Sequence, residues 1–322
     1  MIGSPALEML WEPDDPRRAL EDRFGFGDGE AAGRWVTAVL AEHWGVRAGS
    51  CERIVMSAGN ALAWIGTPSG RLVAKWSVVP ARFPRLTETA RLTHWLHGRG
   101  LPVSAPVPAR DGRLQVVAGR VSMHLQREVV GDLLDTADPG QVRAAGAVVA
   151  RLQDALAGYP DADRFPAGPA APLTARVTGW LDAHAGHLPA AARDALRGMV
   201  AAAPPDRSAR QLVHGDVRSA NVLWARGGIA AVLDLEEARH DHPLVELARA
   251  AVLLGTRYHD WGPVPAAVRA GFVAGYRSVR PLTAAEEGWL DVLLLWQALA
   301  AVPAGDDPTG WGRSATSQLP RR

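Results

Sequence analysis

Cysteine is almost absent: Cys51 is the only one in 322 residues. A lone thiol excludes a disulfide framework and any cysteine-based zinc site, and Cys51 reads as a small apolar side chain. Lysine is equally rare. The chain has 35 basic residues, and Lys75 alone is a lysine. The 35 basic residues face 34 acidic ones, a net charge of +1, so there is no electrostatic footprint for nucleic acid. No apolar run approaches the roughly 18 residues of a membrane span. The first residues lack the basic-then-apolar order of a secretory signal. The expectation is a cytoplasmic protein with neither nucleic acid nor membrane among its partners. The sequence has no internal repeats and leaves the oligomeric state open.

Apolar residues make up 48% of the chain and charged residues 21%, the composition of a soluble globular protein. The length suffices for two lobes with a real core. Abundant Ala, Arg, Gly and Pro suggest a GC-rich coding sequence and say little about chemistry. Among the first fifty residues, Glu12–Pro16 (EPDDP) excludes a regular element. Trp35, Val36, Val39, Leu40 and Trp44 recur at helical spacing.

The most informative stretch is QLVHGDVRSANVLWARGGIAAVLDLEE, residues 211–237. It reads as strand, polar loop, strand, a Gly227-Gly228 hairpin turn, strand, loop. The hairpin would bring Asp216 and Asn221 on the first loop beside Asp234 at the end of the last strand. Asn221 and Asp234 offer hard oxygens suited to Mg²⁺, which takes few protein ligands and completes its shell with phosphate oxygens. Asp216 is left to meet a second substrate. Kinase phosphoryl transfer divides the work this way: one Asp accepts the proton of the attacking hydroxyl, while Asn and another Asp hold metal.

The motif H-G-D-x-x-x-x-N at 214–221, followed by L-D-L-E at 233–236, resembles the catalytic and metal-binding loops of the aminoglycoside phosphotransferase family, small-molecule kinases with a protein-kinase-like fold. The resemblance implies an α+β, bilobal fold. A small antiparallel sheet lobe, residues 1–127, would bind nucleotide, and a larger, mainly helical lobe, residues 128–322, would carry catalysis and the acceptor. It also implies ATP or GTP as co-substrate, Mg²⁺ as cofactor and a small hydroxyl-bearing acceptor. Asp216 would be the catalytic base, with Asn221 and Asp234 as metal ligands.

The preceding chain fits that frame. Strands are expected at 54–56, 61–65 and 72–76, joined by turns at Ser57–Asn60 and Thr67–Gly70. V-A-K-W at 73–76 resembles the strand that carries the phosphate-binding lysine, which implies that role for Lys75. The phosphate loop keeps one glycine, so Gly59 and Asn60 are its candidates. A helix over Leu86–Gly98 carries Glu88, which by resemblance pairs with Lys75. Asp111-Gly112 signals a hairpin, and Val121–Val130 a further strand. By resemblance Gln126, Arg127 and Glu128 form the adenine-binding hinge.

In the second half, Gln141–Leu156 has a buried helical stripe, and 158–172 is a long Pro/Gly/Asp-rich loop. Two helices are expected within 173–199, with Trp180 and Leu181 as core or pocket wall. Further helices are expected at 244–254, 264–276 and 283–299, the last opened by a Thr283–Glu286 capping box. From Val302 onward the composition predicts a frayed tail. His240-Asp241-His242 reads as a turn with solvated imidazoles before a helix starting at Pro243. His214 reads as a structural residue. Glu246, where the family shows Asp, would brace the catalytic loop, and Glu236 would assist the metal or brace its loop.

Polycationic aminoglycosides call for an acidic pocket. Residues 158–210 hold five acids against six arginines, and 255–322 six against seven. That balance favours a neutral or anionic alcohol: a nucleoside antibiotic, a sugar, a metabolite or a peptide Ser/Thr. The readings in play are an antibiotic-modifying or biosynthetic small-molecule kinase, a peptide-directed tailoring kinase, and a pseudokinase-type binding module. Intact Lys75, Asp216, Asn221 and Asp234 argue against the last.

Overall fold

A computed structural model describes residues 4–206 and 209–318. Arg207, Arg321 and Arg322, counted above among the basic residues, lie outside the described residues. The chain divides into two compact units, Met1–Val130 and Gly131–Arg322.

The first unit is built on a six-stranded sheet in the order β1-β2-β3-β4-β6-β5. Its elements are β1 (Ala6–Met9), α1 (Pro16–Phe24), α2 (Gly29–Trp44), β2 (Ser50–Met56), β3 (Asn60–Thr67), β4 (Gly70–Ser77), α3 (Phe83–His97), β5 (Val116–Ala118) and β6 (Val121–Arg127). All neighbours pair antiparallel except β1, which runs parallel to β2. The alternation along the strands sorts the two faces. Ile54 and Met56, Ala61, Ala63 and Ile65, Ala74 and Trp76, and Met123 and Leu125 share one buried cluster with Leu20, Val36 and Leu40 of α1 and α2. Trp76 anchors it, with ring centroids 6.3 Å from Phe24 and 5.9 Å from Trp35. Cys51 belongs to the same cluster, and burial pushes its thiol up to about 11, so it stays an unreactive thiol.

Several expectations change here. Glu12–Asp15 are irregular, but Pro16 opens α1, with the Asp15 carboxylate accepting from Arg17 N and Arg18 N. That is an Asp N-cap with proline in the first turn. The β5–β6 hairpin turns at Gly119-Arg120, with Gly119 at φ 61°. Asp111-Gly112 instead makes a local turn in which the Asp111 carboxylate accepts from Arg113.

The second unit is mainly helical. It comprises β7 (Asp132–Leu133), α4 (Pro139–Ala157), α5 (Leu173–His184), α6 (Ala190–Ala202), β8 (Gln211–Val213), β9 (Val222–Ala225), β10 (Gly228–Val232), β11 (Arg239–Asp241), α7 (Pro243–Leu253), α8 (Ala266–Arg277), α9 (Ala284–Ala300) and α10 (Trp311–Thr316). Two small sheets hold the loops of interest: β10-β9-β7 and the pair β11-β8. The β9–β10 turn falls on Arg226-Gly227, at φ 51° and 77°, one residue before the expected Gly-Gly pair. Gly228 already pairs with Ala225. The tail does not fray within the described residues. Asp307 accepts backbone N–H groups from Gly310, Trp311 and Gly312, and Trp311 is buried.

The segment at 239–242 also departs from the sequence reading. Arg239–Asp241 is a strand paired with β8, with Arg239 and His240 half-buried and Asp241 buried. His242 and Asp241 are buried, and His240 Nε2 lies 2.8 Å from Ala162 O. Arg176 grips both carboxylate oxygens of Asp241 at 2.7 and 3.3 Å. The imidazoles are therefore tied into the fold, His242 buried and His240 half-buried with its Nε2 at the Ala162 carbonyl. Among the described residues, no group of three or more His, Cys, Asp or Glu is placed to hold a metal.

Candidate active site

The loop 214–221 is held from both ends. His214 is fully buried. Its Nδ1 accepts from Asp216 N at 3.2 Å, so the ring's proton sits on Nε2, 2.9 Å from the Leu233 carbonyl it serves. One imidazole thereby ties the loop to the end of β10, as expected of a structural residue. Gly215 sits at φ 87°, where a side chain would overlap Glu237 O and the Arg239 guanidinium. Its N–H donates to Glu246 Oε1 at 2.6 Å.

Asp216 Oδ2 accepts two hydrogen bonds, from Asn221 Nδ2 at 3.0 Å and Arg218 Nε at 3.1 Å. Asn221 Nδ2 also donates to Asp216 O at 2.9 Å. Asp216 and Asn221 are thus brought together as the spacing predicts, in a turn closed by a 3-10 segment at Ser219–Asn221. With the Asn221 nitrogen committed to Asp216, its amide oxygen is left over. Asp234 follows β10 in the left-handed region, φ 62° and ψ 68°, with an exposed side chain, a conformation Asp tolerates better than most residues. Leu233 N donates to Asn221 O at 2.8 Å, which joins the Asp234 strand to the Asn221 loop. The donor set is hard oxygen only and fits Mg²⁺ completed by phosphate oxygens.

Sequence reasoning passed over the surroundings of this loop. Ser219 N donates to Leu254 O, Arg257 Nε reaches Ser219 Oγ at 3.4 Å, and Tyr258 Oη donates to Ala220 O at 3.3 Å. The segment 254–262 therefore lies along the loop. It ends in Trp261, half exposed at 50%, whose carbonyl accepts from Trp311 Nε1 at 2.6 Å. Arg218 was legible only as one of the four unspecified positions between Asp216 and Asn221.

In the first unit, Lys75 pairs in the ladder with Leu62 and His124. It lies on the sheet face opposite Trp76 and the α1–α2 cluster. Gly59 and Asn60 form the β2–β3 turn, closed by Ser57 N donating to Asn60 O at 2.8 Å. A side chain at Gly59 would come 2.5 Å from Val79 Cγ2, so glycine serves clearance there. Glu88 accepts from Arg91 Nη1 at 2.8 Å. Gln126 and Arg127 end β6, and Glu128 N donates to Arg71 O at 3.1 Å, extending the β4 ladder by one residue.

An antiparallel-rich sheet unit followed by a mainly helical unit, with an Asp–Asn loop between short strands, defines a protein-kinase-like fold. Residues 50–289 match the phosphotransferase enzyme family, known as APH, and the chain belongs to that family. It is a phosphotransferase acting on a hydroxyl group of a small molecule. A homoserine kinase of Neisseria meningitidis is 28% identical over 256 residues, covering 74% of this chain and 77% of the relative. A homoserine kinase of Gluconacetobacter diazotrophicus is 33% identical over 208 residues, 62% of each chain. Among solved structures, a spectinomycin phosphotransferase in complex with ADP and spectinomycin superposes with a TM-score of 0.63 at 13% identity, covering 89% of this chain and 99% of that one.

Proposed function

We propose that the protein transfers the γ-phosphoryl group of ATP or GTP to the hydroxyl of a small metabolite or natural-product alcohol, with Asp216 as the base. The observation that carries this reading is the division of labour within one turn. Both hydrogen bonds to the Asp216 carboxylate fall on Oδ2, which leaves Oδ1 to meet an incoming hydroxyl. The same contacts fix the ring-like turn that aims it. A positioned carboxylate accepts the proton as the oxygen attacks, and most of the acceleration comes from alignment and charge placement.

Asn221 through its amide oxygen and Asp234 through its carboxylate would hold Mg²⁺, which would supply charge neutralisation to the transferred phosphoryl group. Lys75, steadied by Glu88, is assigned to the phosphates, Gly59-Asn60 to the loop over them, and Gln126–Glu128 to the adenine edge. In this reading residues 1–127 serve the nucleotide, and residues 128–322 serve catalysis and the acceptor.

Homoserine and spectinomycin, named with the relatives above, head the acceptor panel. The test measures ADP release with that panel and, separately, the rise in melting temperature caused by Mg-nucleotide. Asp216→Asn should lower kcat by about 10²–10⁴-fold and keep the nucleotide-induced rise. Asp234→Ala should lose that rise. Wild-type turnover in Asp216→Asn, or an unchanged rise in Asp234→Ala, would discard the assignments.

A further inference from the structure

Arg218, bonded to Asp216, and Arg249, on the helix that holds Gly215, have hydrogen-bonding capacity that the protein does not use. Arg218 spends Nε on Asp216 Oδ2 at 3.1 Å. Its terminal nitrogens make no hydrogen bond among the described residues, and its guanidinium carbon lies 5.4 Å from the Trp261 ring centroid. Arg249 lies on α7 three residues beyond Glu246, and so on the helix face that reaches Gly215. Its Nε is buried without a hydrogen-bond partner. Burial lowers its pKa, and the charge of Asp216 opposes that shift more than any other neighbour. Arg239, by contrast, is engaged with the carbonyls of Gly215 and Glu237. A desolvated guanidinium without partners is costly, and it is the usual donor where a carboxylate is gripped.

We infer that the acceptor carries an anionic group, a carboxylate in the simplest case, which Arg218 binds while the acceptor's hydroxyl meets Asp216 Oδ1, with Arg249 on the adjoining helix adding positive charge. The inference rests on the phosphotransferase reading of Asp216. A chain of about three or four carbons, at bond lengths of about 1.5 Å, spans from the carboxylate's hydroxyl partner to a guanidinium that touches its other oxygen. The exposed Trp261 ring offers that chain an apolar wall. A polycationic acceptor would meet two like charges here instead.

A competing role for both arginines is the transferred phosphoryl group itself, and acceptor kinetics separate the two. The probes are γ-hydroxybutyrate, its neutral amide and aminobutanol, each assayed for ADP release with Mg-ATP. The wild type should favour the carboxylate over the amide in kcat/KM by about tenfold or more. Arg218→Gln also frees Asp216 Oδ2 and so lowers kcat for every acceptor, but it should bring the carboxylate-to-amide ratio near one, and Arg218→Lys should retain part of the preference. The Mg-ATP-induced rise in melting temperature verifies that each variant is folded. A wild-type ratio near one, or an Arg218→Gln variant that keeps the wild-type ratio, overturns the inference while leaving the phosphotransferase reading intact. Absence of both ADP release and Mg-ATP binding in the wild type removes that reading, and this inference with it.

Discussion

Glu246 on α7 accepts the backbone N–H of Gly215 with one carboxylate oxygen and the side-chain amide of Gln153 on α4 with the other, at 2.6 and 2.8 Å. The chain of bonds continues inward. Gln153 Nε2 also donates to Pro243 O at 3.0 Å, Tyr276 Oη donates to Gln153 Oε1 at 2.5 Å, and Arg280 Nη1 donates to Tyr276 Oη at 3.1 Å. Arg280 pairs with Glu286, the acidic half of the capping box that opens α9. Burial pushes the Tyr276 hydroxyl up to about 12, so it remains a donor at any working pH. Four helices thus brace the loop that carries Asp216.

Breaking this chain should therefore cost stability before it touches chemistry. Gln153→Leu strands the Glu246 carboxylate and the Tyr276 hydroxyl together. A loss of about 3 kcal/mol is expected, against about 1–2 kcal/mol for Tyr276→Phe. Urea unfolding measures both, and equal, negligible losses would show that the network is slack.

Lys75 stands on the sheet face away from the Trp76 cluster, so its replacement should spare the core. Lys75→Met is expected to lower kcat/KM for the nucleotide by about a hundredfold while shifting the melting temperature of the ligand-free protein little. A variant with normal nucleotide kinetics would remove Lys75 from the phosphates.

His242 is buried, 3.7 Å from Asp206, and its pKa lies below the usual histidine value. Desolvation is the chief cause, and it outweighs the opposing charges of Asp206 and Asp241. The unfolded chain therefore binds the proton more readily than the folded one. Stability from this group is present above the unfolded value of 6.5 and is lost as pH falls through the folded pKa. Wild type should lose stability more steeply than His242→Gln between about pH 7 and about pH 5. Parallel denaturation midpoints across that range would contradict this.

Arg226 adopts a left-handed conformation at φ 51°, next to Gly227 at 77°. Both central residues of the β9–β10 hairpin are thus positive, the pairing that Asn-Gly fills best. Arg226→Asn should raise stability by about 0.5–1 kcal/mol, read as a higher urea midpoint with an unchanged slope.

Much of the site was legible because its parts are close in sequence. Asp216 and Asn221 share a single turn, and β3, which pairs with the Lys75 strand, alternates between buried and half-buried positions. What escaped was set by pairing between distant segments. β1 has no signal of its own and exists because it lies beside β2. The 239–241 strand looked like a solvated turn until β8 paired with it. The tail looked frayed because composition does not reveal that Asp307 caps a helix that buries Trp311. Arg218 and Arg249 were ordinary arginines in an arginine-rich chain until the fold bonded one to Asp216 and buried the other's Nε without a hydrogen-bond partner.

By itself the sequence determined the order of the chemistry-bearing groups and, through the family resemblance of its H-G-D-x-x-x-x-N motif, the fold class, because turn residues and the Asp-to-Asn spacing are local properties. The tertiary structure alone decided which oxygen of Asp216 is occupied, which histidine nitrogen carries the proton, and which arginines are left with donors to offer. Those depend on hydrogen bonds between residues far apart in the chain, and the burial that gives such bonds their weight exists only once the core has closed.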